Sequence, residues 1–370
     1  MRAFALVALF ACSSPAQAPV ATPTVAAPAV NTIAVEAKYE VTSEEVTFTA
    51  GERTIPGTIA APKSPGRWPA VLLLAGSGPT DRDWNSPLIA TKNGSGKLLA
   101  TALAQRGAVV LRFDKAGSGK NAGPLLATWT MDTYRDEATA GLALLRARAD
   151  VRSDRVFVAG HSEGGIHATR LAAIAEPPVS GVVYLASASR TMAETILSQI
   201  EKQLHNPLAM LSAKAIDQEM AGLRQAFASF LAKKPVDPQK ASRVPQLQQL
   251  VAQLINPDTA AVTRALLAFD NAVEAAKLAG PFYVSAGGKD MQVEPERDAK
   301  RLAEALRAAG KDVTYHLSRD ADHVLKHQPD TVEQLRANAQ AAADAYNAEG
   351  RVLDADFIAA LATWLGTRSR

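Results

Sequence analysis

The chain has 370 residues, 47% of them hydrophobic and 21% charged, and its formal net charge is +3. This length is sufficient for one large domain or for a domain with an insertion. The basic residues are scattered, without a lysine–arginine block or interleaved aromatic residues, so the composition argues against a nucleic-acid-binding protein. The single cysteine excludes an internal disulfide, so the core must hold the fold unaided.

Residues 1–18 have the composition of an export signal. Met1-Arg2 supplies a positive start, and the apolar run at 3–11 is too short to span a bilayer as a helix. Ala16-Gln17-Ala18 fits a signal-cleavage site, which would release a soluble periplasmic or secreted protein. Leu9-Phe10-Ala11-Cys12 instead resembles a bacterial lipoprotein box, in which lipidated Cys12 would attach the protein to a membrane. Both routes stay open, and both predict an exported protein.

Strand and helix patterns alternate after a Pro- and Ala-rich stretch at 19–38, which is predicted to be a disordered linker. Eight segments have strand patterns: 45–49, 54–60, 70–75, 108–113, 155–159, 181–185, 281–286 and 312–317. The first two alternate as paired antiparallel edge strands do, whereas the next two are continuous apolar runs typical of strands buried on both faces. Helical patterns occupy 96–106, 131–149, 166–175 and 354–365. The alternation predicts an α/β fold with a mostly parallel eight-stranded sheet flanked by helices.

Residues 190–279 interrupt this alternation. The segment has no convincing strand pattern, is rich in Ala, Leu, Gln and Lys, and is punctuated by prolines. We interpret it as a helical cap inserted after the sixth strand, between core segments 39–189 and 280–370. It is either a helical filler or a lid over the active site. The lid is favoured because the insertion leaves the carboxyl edge of the sheet, where ligands bind in open α/β sheets.

Gly160-His161-Ser162-Glu163-Gly164 follows a strand pattern and precedes a helical pattern. This is a G-x-S-x-G motif in a strand–turn–helix context, which predicts a nucleophilic serine on a strained turn. Side chains at the two glycine positions would collide with the adjoining strand and helix. The motif alone is weak, because an ordinary serine in a glycine-rich turn would have the same pattern. The interpretation therefore depends on finding its partners.

A serine nucleophile needs a histidine base within hydrogen-bonding reach and a carboxylate that orients the histidine. Asp290 follows the strand pattern that ends at 286, and His323 follows the one that ends at 317. The order Ser162, Asp290, His323 predicts a catalytic triad at the carboxyl edge of the sheet. The weaker candidates are Asp298, Asp320 and Asp322 for the acid, and His161, His167, His205, His316 and His327 for the base. His161 in particular is expected to point away at the turn.

Ester cleavage builds negative charge on the carbonyl oxygen, and this charge needs fixed hydrogen-bond donors. One predicted donor is the backbone N–H of Glu163, directly after the nucleophile. The second is expected from the loop at 75–79, where the N–H of Ser77 is the first choice and that of Gly78 the alternative. Together these amides form the predicted oxyanion hole.

Residues 114–120, Asp-Lys-Ala-Gly-Ser-Gly-Lys, contain a glycine loop. The first glycine of a phosphate-binding loop is missing, so we interpret the segment as a tight strand-to-helix turn. No His, Cys, Asp and Glu residues have metal-ligand spacing. The sequence therefore predicts neither a cofactor nor a metal.

These motifs resemble those of the serine α/β-hydrolases, in particular bacterial esterases related to the serine aminopeptidase and dienelactone hydrolase groups. The matching stretches lie at 76–83, 112–115, 160–165, 287–293 and 322–325. One departure is Ala116, where that group often has arginine after Asp-Lys, and a local packing change is expected there. The resemblance implies an α/β-hydrolase fold and hydrolysis of carboxylic esters through an acyl-enzyme, without a cofactor.

The sequence thus favours a serine esterase for small-molecule, short- to medium-chain esters. A peptidase of the aminopeptidase or acylaminoacyl type is the first alternative. An aminopeptidase needs a carboxylate cluster in the cap to bind an α-amino group, and the acids of the cap are dispersed. The second alternative is a non-catalytic hydrolase-fold protein of the cell envelope, against which the intact order of Ser, Asp and His argues. The oligomeric state is not indicated.

Overall fold

The computed structural model of this protein describes residues 31–88, 91–123, 129–205, 211–337, 346, 348 and 350–370. In these ranges eight strands form one sheet: β1 (Val41–Ala50), β2 (Arg53–Pro62), β3 (Trp68–Leu74), β4 (Val109–Phe113), β5 (Val151–His161), β6 (Gly181–Leu185), β7 (Phe282–Gly287) and β8 (Val313–Ser318). Their order is β1-β2-β4-β3-β5-β6-β7-β8. The pairs β1–β2 and β2–β4 are antiparallel, and all others are parallel. The predicted mostly parallel eight-stranded sheet is confirmed.

Helices cover both faces of this sheet. In the described ranges the core helices are α1 (Ser95–Ala104), α2 (Met131–Ala147), α3 (Gly164–Ala172), α10 (Arg301–Ala308), α11 (Val332–Ala337) and α12 (Ala355–Arg368). Strand β3 is buried along its whole length, and alternate side chains contact opposite layers. Leu72 packs in the apolar cluster that contains α2, α3 and α10, and Leu73 packs in the cluster that contains α1 and α12.

The cap lies between β6 and β7, as predicted. It consists of α4 (Met192–Leu204), α5 (Ala213–Leu231), α6 (Pro238–Ala241), α7 (Pro245–Leu254), α8 (Ala260–Ala268) and α9 (Asn271–Ala275). The described cap helices α4 to α8 have their own apolar core, which includes Leu223, Phe227, Leu250 and Leu267. The cap is therefore a packed helical layer rather than an extended loop.

The predicted export signal, Cys12 and the first part of the predicted linker lie outside the described residues. The described part of the linker, residues 31–38, packs against the body of the protein. Ile33 is 4% exposed, and its N–H donates to Ser369 Oγ at 3.2 Å. The N–H of Ala34 donates to the carbonyl oxygen of Arg106 at 2.7 Å. These contacts attach the end of the predicted linker to the body at Ile33 and Ala34, and the disordered linker at 19–38 stays a prediction.

A separate observation concerns membranes. Across the described ranges, no helix combines the length and the apolar character needed to cross a bilayer.

Candidate active site

Ser162 lies on the turn between β5 and α3. Its backbone φ of +53° falls in the left-handed region, a conformation that typically costs ~1–3 kcal/mol for a residue with a side chain. A Cβ on Gly160 would lie 2.2 Å from the carbonyl oxygen of Gly164, and a Cβ on Gly164 would lie 2.4 Å from that of Leu74. The two glycines are therefore needed for the close approach of strand and helix, and this approach holds Ser162 at the sheet edge.

Asp290 and His323 follow the carboxyl ends of β7 and β8, and their side chains are hydrogen-bonded. The distance from His323 Nδ1 to Asp290 Oδ2 is 2.8 Å, and the two side chains are 5% and 0% exposed. Asp290 Oδ1 accepts the N–H groups of Gln292 at 2.8 Å and Val293 at 2.9 Å. Both carboxylate oxygens are thus occupied. An ionised carboxylate only accepts, so the imidazole carries a proton on Nδ1 and keeps Nε2 for other partners.

The environment of His323 suits a base. Burial by itself would lower the pKa of the imidazole, but the charge and hydrogen bond of Asp290, together with the charge of Asp322, raise this pKa above the ordinary histidine value. A higher pKa means that the neutral imidazole needs a higher pH to form. It also means that the imidazole is a stronger proton acceptor once neutral.

His161 is closer to the site than the sequence indicated. Its Nε2 lies 2.8 Å from the carbonyl oxygen of His323, its ring centroid is 4.9 Å from that of His323, and it stacks on Trp84 at 4.4 Å. Burial and the neighbouring His323 lower the pKa of His161 to about 3. The ring is therefore neutral and donates its Nε2–H to that carbonyl. The expectation that His161 points away is wrong, because the turn directs this ring between Trp84 and the His323 loop.

One cavity of about 200 Å³ is lined by Ser162, His323 and the loop that follows β3. Nothing among the described residues forms a hydrogen bond with the Ser162 hydroxyl, and His323 uses its ring for the bond to Asp290. Serine–histidine hydrogen bonds are often long in ligand-free enzymes and tighten when substrate binds. Ser162 and His323 thus border one cavity.

The predicted oxyanion donors Ser77, Gly78 and Glu163 line the same cavity. In the described part of the chain, the backbone N–H groups of these residues donate to no protein acceptor. A Cβ built on Gly76 would lie 3.3 Å from Ser162 Cβ, so the loop after β3 touches the nucleophile turn. Free amides next to a serine hydroxyl are what an oxyanion hole requires.

The cap supplies the opposite wall of the cavity, through Met192, Thr195, Ile196, Gln199, Ile200, Gln203 and Leu250. All of these side chains are uncharged. Two contacts attach helix α4 to the core, one just before the helix and one within it. Arg190 forms a bidentate ion pair with the fully buried Asp298, at 3.1 and 2.7 Å, and Gln199 Nε2 donates to the carbonyl oxygen of Gln292 at 3.1 Å.

The weaker candidates for acid and base have other partners. His316 contacts Asp356 at 3.0 Å, His327 contacts Asp354 at 3.4 Å, and His205 is exposed. Asp298 pairs with Arg190, exposed Asp320 pairs with Lys289 at 2.8 Å, and Asp322 pairs with Arg351 at 2.7 Å. His167 lies 3.5 Å from Glu163 beneath the nucleophile turn.

The glycine loop at 114–120 forms a backbone hydrogen bond with the carboxylate of Asp114, which belongs to the same loop. Asp114 Oδ2 accepts the backbone N–H of Lys120 at 2.9 Å and the guanidinium of Arg82 at 2.8 Å, and its Oδ1 accepts the N–H of Arg82. A Cβ on Gly119 would lie 2.4 Å from this carboxylate. The loop thus closes around Asp114. Among the described residues, no group of three or more His, Cys, Asp or Glu side chains could hold a metal ion.

The fold and this arrangement define an α/β-hydrolase. A family model described as serine aminopeptidase, S33, matches residues 92–330, more than half of the chain. The chain therefore belongs to this family.

The chain is also similar to individual proteins. Esterase EstD of Thermotoga maritima is 33% identical over 147 residues, which is 40% of this chain and 34% of the relative, so the match spans about a third of that protein. The crystal structure of proline iminopeptidase from Mycobacterium smegmatis has a TM-score of 0.51 and 15% identity, covering 88% of this chain and 99% of the other. The Pyrococcus furiosus esterase Pf2001 has a TM-score of 0.52 and 16% identity, covering 90% and 92%. At these identities the two structures show the fold alone.

The hydrogen bond between Asp290 and His323 leads to a test. Asp290→Asn places an amide beside Nδ1 and removes the charge that raises the pKa of His323. We expect kcat for an ester substrate to fall by ~10³–10⁴, and the acid limb of the kcat/KM profile to move to lower pH. Both are measured by p-nitrophenyl ester hydrolysis across pH.

Asp320→Asn is the matched control. This exposed carboxylate lies near the same edge of the sheet, and its loss should change kcat by less than about 2-fold. A folded Asp290→Asn variant with unchanged rate and pH profile would contradict the assigned role of Asp290.

Proposed function

We propose that this chain is a serine carboxylic-ester hydrolase that acts through an acyl-enzyme on short- to medium-chain esters. The observation that carries the proposal is the 2.8 Å bond between His323 and Asp290, at a cavity that His323 shares with Ser162. The family membership supports a hydrolase, and the sequence relationship to an esterase supports the ester reaction.

In the first half-reaction, Ser162 Oγ attacks the ester carbonyl carbon while its proton passes to His323 Nε2. The electron pair of the carbonyl bond moves to the oxygen, whose negative charge is stabilised by the N–H groups of Ser77 and Glu163, with Gly78 as the alternative donor. Asp290 holds the imidazole and stabilises its protonated form. Collapse of the intermediate expels the alcohol, which takes the proton from His323.

In the second half-reaction, water attacks the acyl carbon and gives its proton to His323 Nε2. The tetrahedral intermediate uses the same amides, and its collapse returns the proton to Ser162 Oγ as the carboxylic acid leaves. The chemistry needs the side chains of Ser162, His323 and Asp290 and no cofactor.

The size and lining of the cavity support the proposal that the substrate has a small, uncharged acyl group. Its volume of about 200 Å³ lies below the range of ~300–1,000 Å³ common for drug-sized ligands. Its cap wall offers Met192, Ile196, Ile200 and Leu250 as apolar contacts. Burial of each methylene of an acyl chain against such a wall is worth ~0.8 kcal/mol.

The aminopeptidase alternative fits this wall less well. A free α-ammonium group entering the cavity would require a carboxylate partner, because an unpaired charge is costly to desolvate. Among the described residues that line the cavity, the only carboxylate belongs to Glu163, which faces His167 at 3.5 Å. The neutral wall therefore favours an ester over a substrate with a free amino terminus.

Replacement of Ser162 and a comparison of two substrates distinguish the esterase, the peptidase and the non-catalytic protein. We expect the protein to hydrolyse p-nitrophenyl butyrate faster than an amino-acid p-nitroanilide, and Ser162→Ala to lower the ester rate by ~10³ or more with the fold retained. The wild type should also be labelled covalently by a fluorophosphonate probe. A folded, unlabelled and inactive wild type would instead support a non-catalytic protein. Faster anilide hydrolysis would support the peptidase.

The cap wall makes a prediction about chain length. Ile196→Ala enlarges the cavity, and we expect the ratio of kcat/KM for octanoate over butyrate p-nitrophenyl esters to rise by ~3- to 10-fold. Ile174→Ala is the matched control, since Ile174 is 47% exposed and does not line the cavity. An unchanged ratio in a folded Ile196→Ala variant would contradict the assignment of this wall to the acyl chain.

We also propose that the protein is exported, on the strength of residues 1–18. Expression in a bacterial host and mass spectrometry of the mature protein test this. A lipidated N-terminus at Cys12, lost in Cys12→Ala, would indicate membrane attachment, and an N-terminus at residue 19 would indicate a soluble exported form. A product that retains Met1 and the apolar run would contradict export.

A further inference from the structure

Two buried side chains hold successive carbonyl groups of the loop after β3. Lys115, on the turn after β4, donates from Nζ to the carbonyl oxygen of Gly76. Tyr134, on α2, donates from its hydroxyl to the carbonyl oxygen of Ala75 at 3.3 Å. Lys115 is 7% exposed and Tyr134 is 8% exposed. The backbone of this loop is therefore fixed from beneath, by groups that do not line the cavity.

The geometry of the peptide bond connects these contacts to the oxyanion site. In a trans peptide the C=O and the following N–H point in opposite directions. When Lys115 binds the carbonyl of Gly76 from the interior, the N–H of Ser77 must point away from the interior. Gly76 also touches the nucleophile turn, since its Cβ position is 3.3 Å from Ser162 Cβ. The free N–H of Ser77 thus points away from the interior, and Ser77 lines the same cavity as Ser162.

Lys115 is buried beside an aromatic ring and near two carboxylates. Its ammonium lies 5.3 Å from the centroid of the Tyr134 ring, and it interacts electrostatically with the carboxylates of Glu163 and Glu137. Burial lowers the pKa of Lys115, and the charges of Glu163 and Glu137 oppose this shift without cancelling it. Nothing in the proposed reaction uses Lys115 as an acid, a base or a nucleophile. Its hydrogen bond to the carbonyl oxygen of Gly76 is the contact that connects Lys115 to the loop beside the proposed reacting atoms.

We propose that Lys115 and Tyr134 are positioning residues of the oxyanion hole. They fix the two peptide planes of residues 75–77 and thereby aim the Ser77 N–H at the oxygen that becomes negative. This inference rests on the proposed esterase function. It concerns how the donor is held, and the donor itself remains the backbone amide.

The role predicts a specific kinetic pattern. A peptide plane that is free to rotate binds the ground-state substrate nearly as well, but it loses part of its bond to the oxyanion. Loss of a whole oxyanion donor typically costs ~10²–10³ in kcat, so a misaligned donor should cost ~10- to 100-fold. KM should change by less than about 3-fold, because the acyl contacts with the cap are untouched.

The test compares Lys115→Met with the wild type. Kinetics on p-nitrophenyl butyrate give kcat and KM. The inhibition constant of an alkyl trifluoromethyl ketone then reports the oxyanion hole, because Ser162 Oγ adds to its carbonyl, His323 takes the proton, and the oxygen of the adduct becomes the anion. We expect kcat and inhibitor affinity to fall together, ~10- to 100-fold, while KM changes by less than about 3-fold.

Arg152→Met is the matched control. Arg152 is another buried cation that donates to backbone carbonyls, those of Asn31 at 3.2 Å and Ser369 at 2.5 Å, near the end of β5 remote from Ser162. Its loss should lower the melting temperature and leave kcat and inhibitor affinity within about 2-fold of wild type. Equal kinetic effects of Arg152→Met and Lys115→Met would overturn the inference, because they would indicate general destabilisation.

Tyr134→Phe keeps the proposal testable if Lys115→Met does not fold. It removes one hydroxyl, and we expect kcat and inhibitor affinity to fall by ~3- to 10-fold. If Lys115→Met folds and its kcat and inhibitor affinity are unchanged, this inference is overturned and the proposed function stays intact. If Lys115→Met does not fold, the same result for Tyr134→Phe overturns the inference. A wild-type protein with no ester hydrolysis and no fluorophosphonate labelling overturns both.

Discussion

The close approach between the start of α3 and the end of β3 is the constraint on which the active site depends. A Cβ on Gly164 would lie 2.4 Å from the carbonyl oxygen of Leu74, so this contact exists only with glycine. It sets Ser162 into its left-handed turn and brings the N–H of Glu163 beside the loop at 75–78. This packing contact therefore places the predicted nucleophile, Ser162, and the predicted donor on Glu163 next to the loop that carries the second predicted donor. A larger residue would move the helix and separate all three.

The charge of Glu163 raises a physical problem that its neighbours solve. Glu163 directly follows Ser162, so its negative charge would repel the negative oxygen that forms on a substrate carbonyl attached to Ser162. Burial alone would raise the pKa of this carboxyl, but His167 and Lys115 lower it and hold the ionised form beneath the turn. The hydrogen bond with His167 and the charge of Lys115 thus stabilise the ionised carboxylate. Glu163 lines the cavity, and among the described residues its backbone N–H has no protein acceptor.

Much of the fold followed from local patterns, whereas several contacts at the site did not. The apolar run at 181–185 predicts β6 because strands buried on both faces have such runs, and Gly160 and Gly164 predict the turn because its geometry requires them. Strand β5 begins at Val151 rather than 155, because Val151 pairs with Trp68 beyond a register shift. That pairing depends on a residue more than eighty positions away, and no local pattern contains it.

The same limit applies to the residues that support the site. Asp290 and His323 were predicted from their positions after strands, and the structure places their side chains 2.8 Å apart. His161 and Lys115 were not predicted to contact the site, since their roles depend on which backbone carbonyl each ring or ammonium reaches after folding. A lysine in a strand-to-helix turn carries the same local signal whether it is exposed or buried. Its tertiary neighbours decide between these states.

The attachment of the cap joins specificity to catalysis. Gln199 lines the cavity from α4 and binds the carbonyl oxygen of Gln292, while the N–H of Gln292 binds Asp290 Oδ1. Two hydrogen bonds therefore connect the cap wall to the carboxylate that orients His323. The buried pair of Arg190 with Asp298 fixes the start of the same helix. A change that tilts α4 to admit a different acyl group would also pull on the loop that holds Asp290. Under the proposed function, a change of substrate preference would therefore leave turnover unaffected only where it is confined to side chains that face the cavity and leaves Gln199 in place.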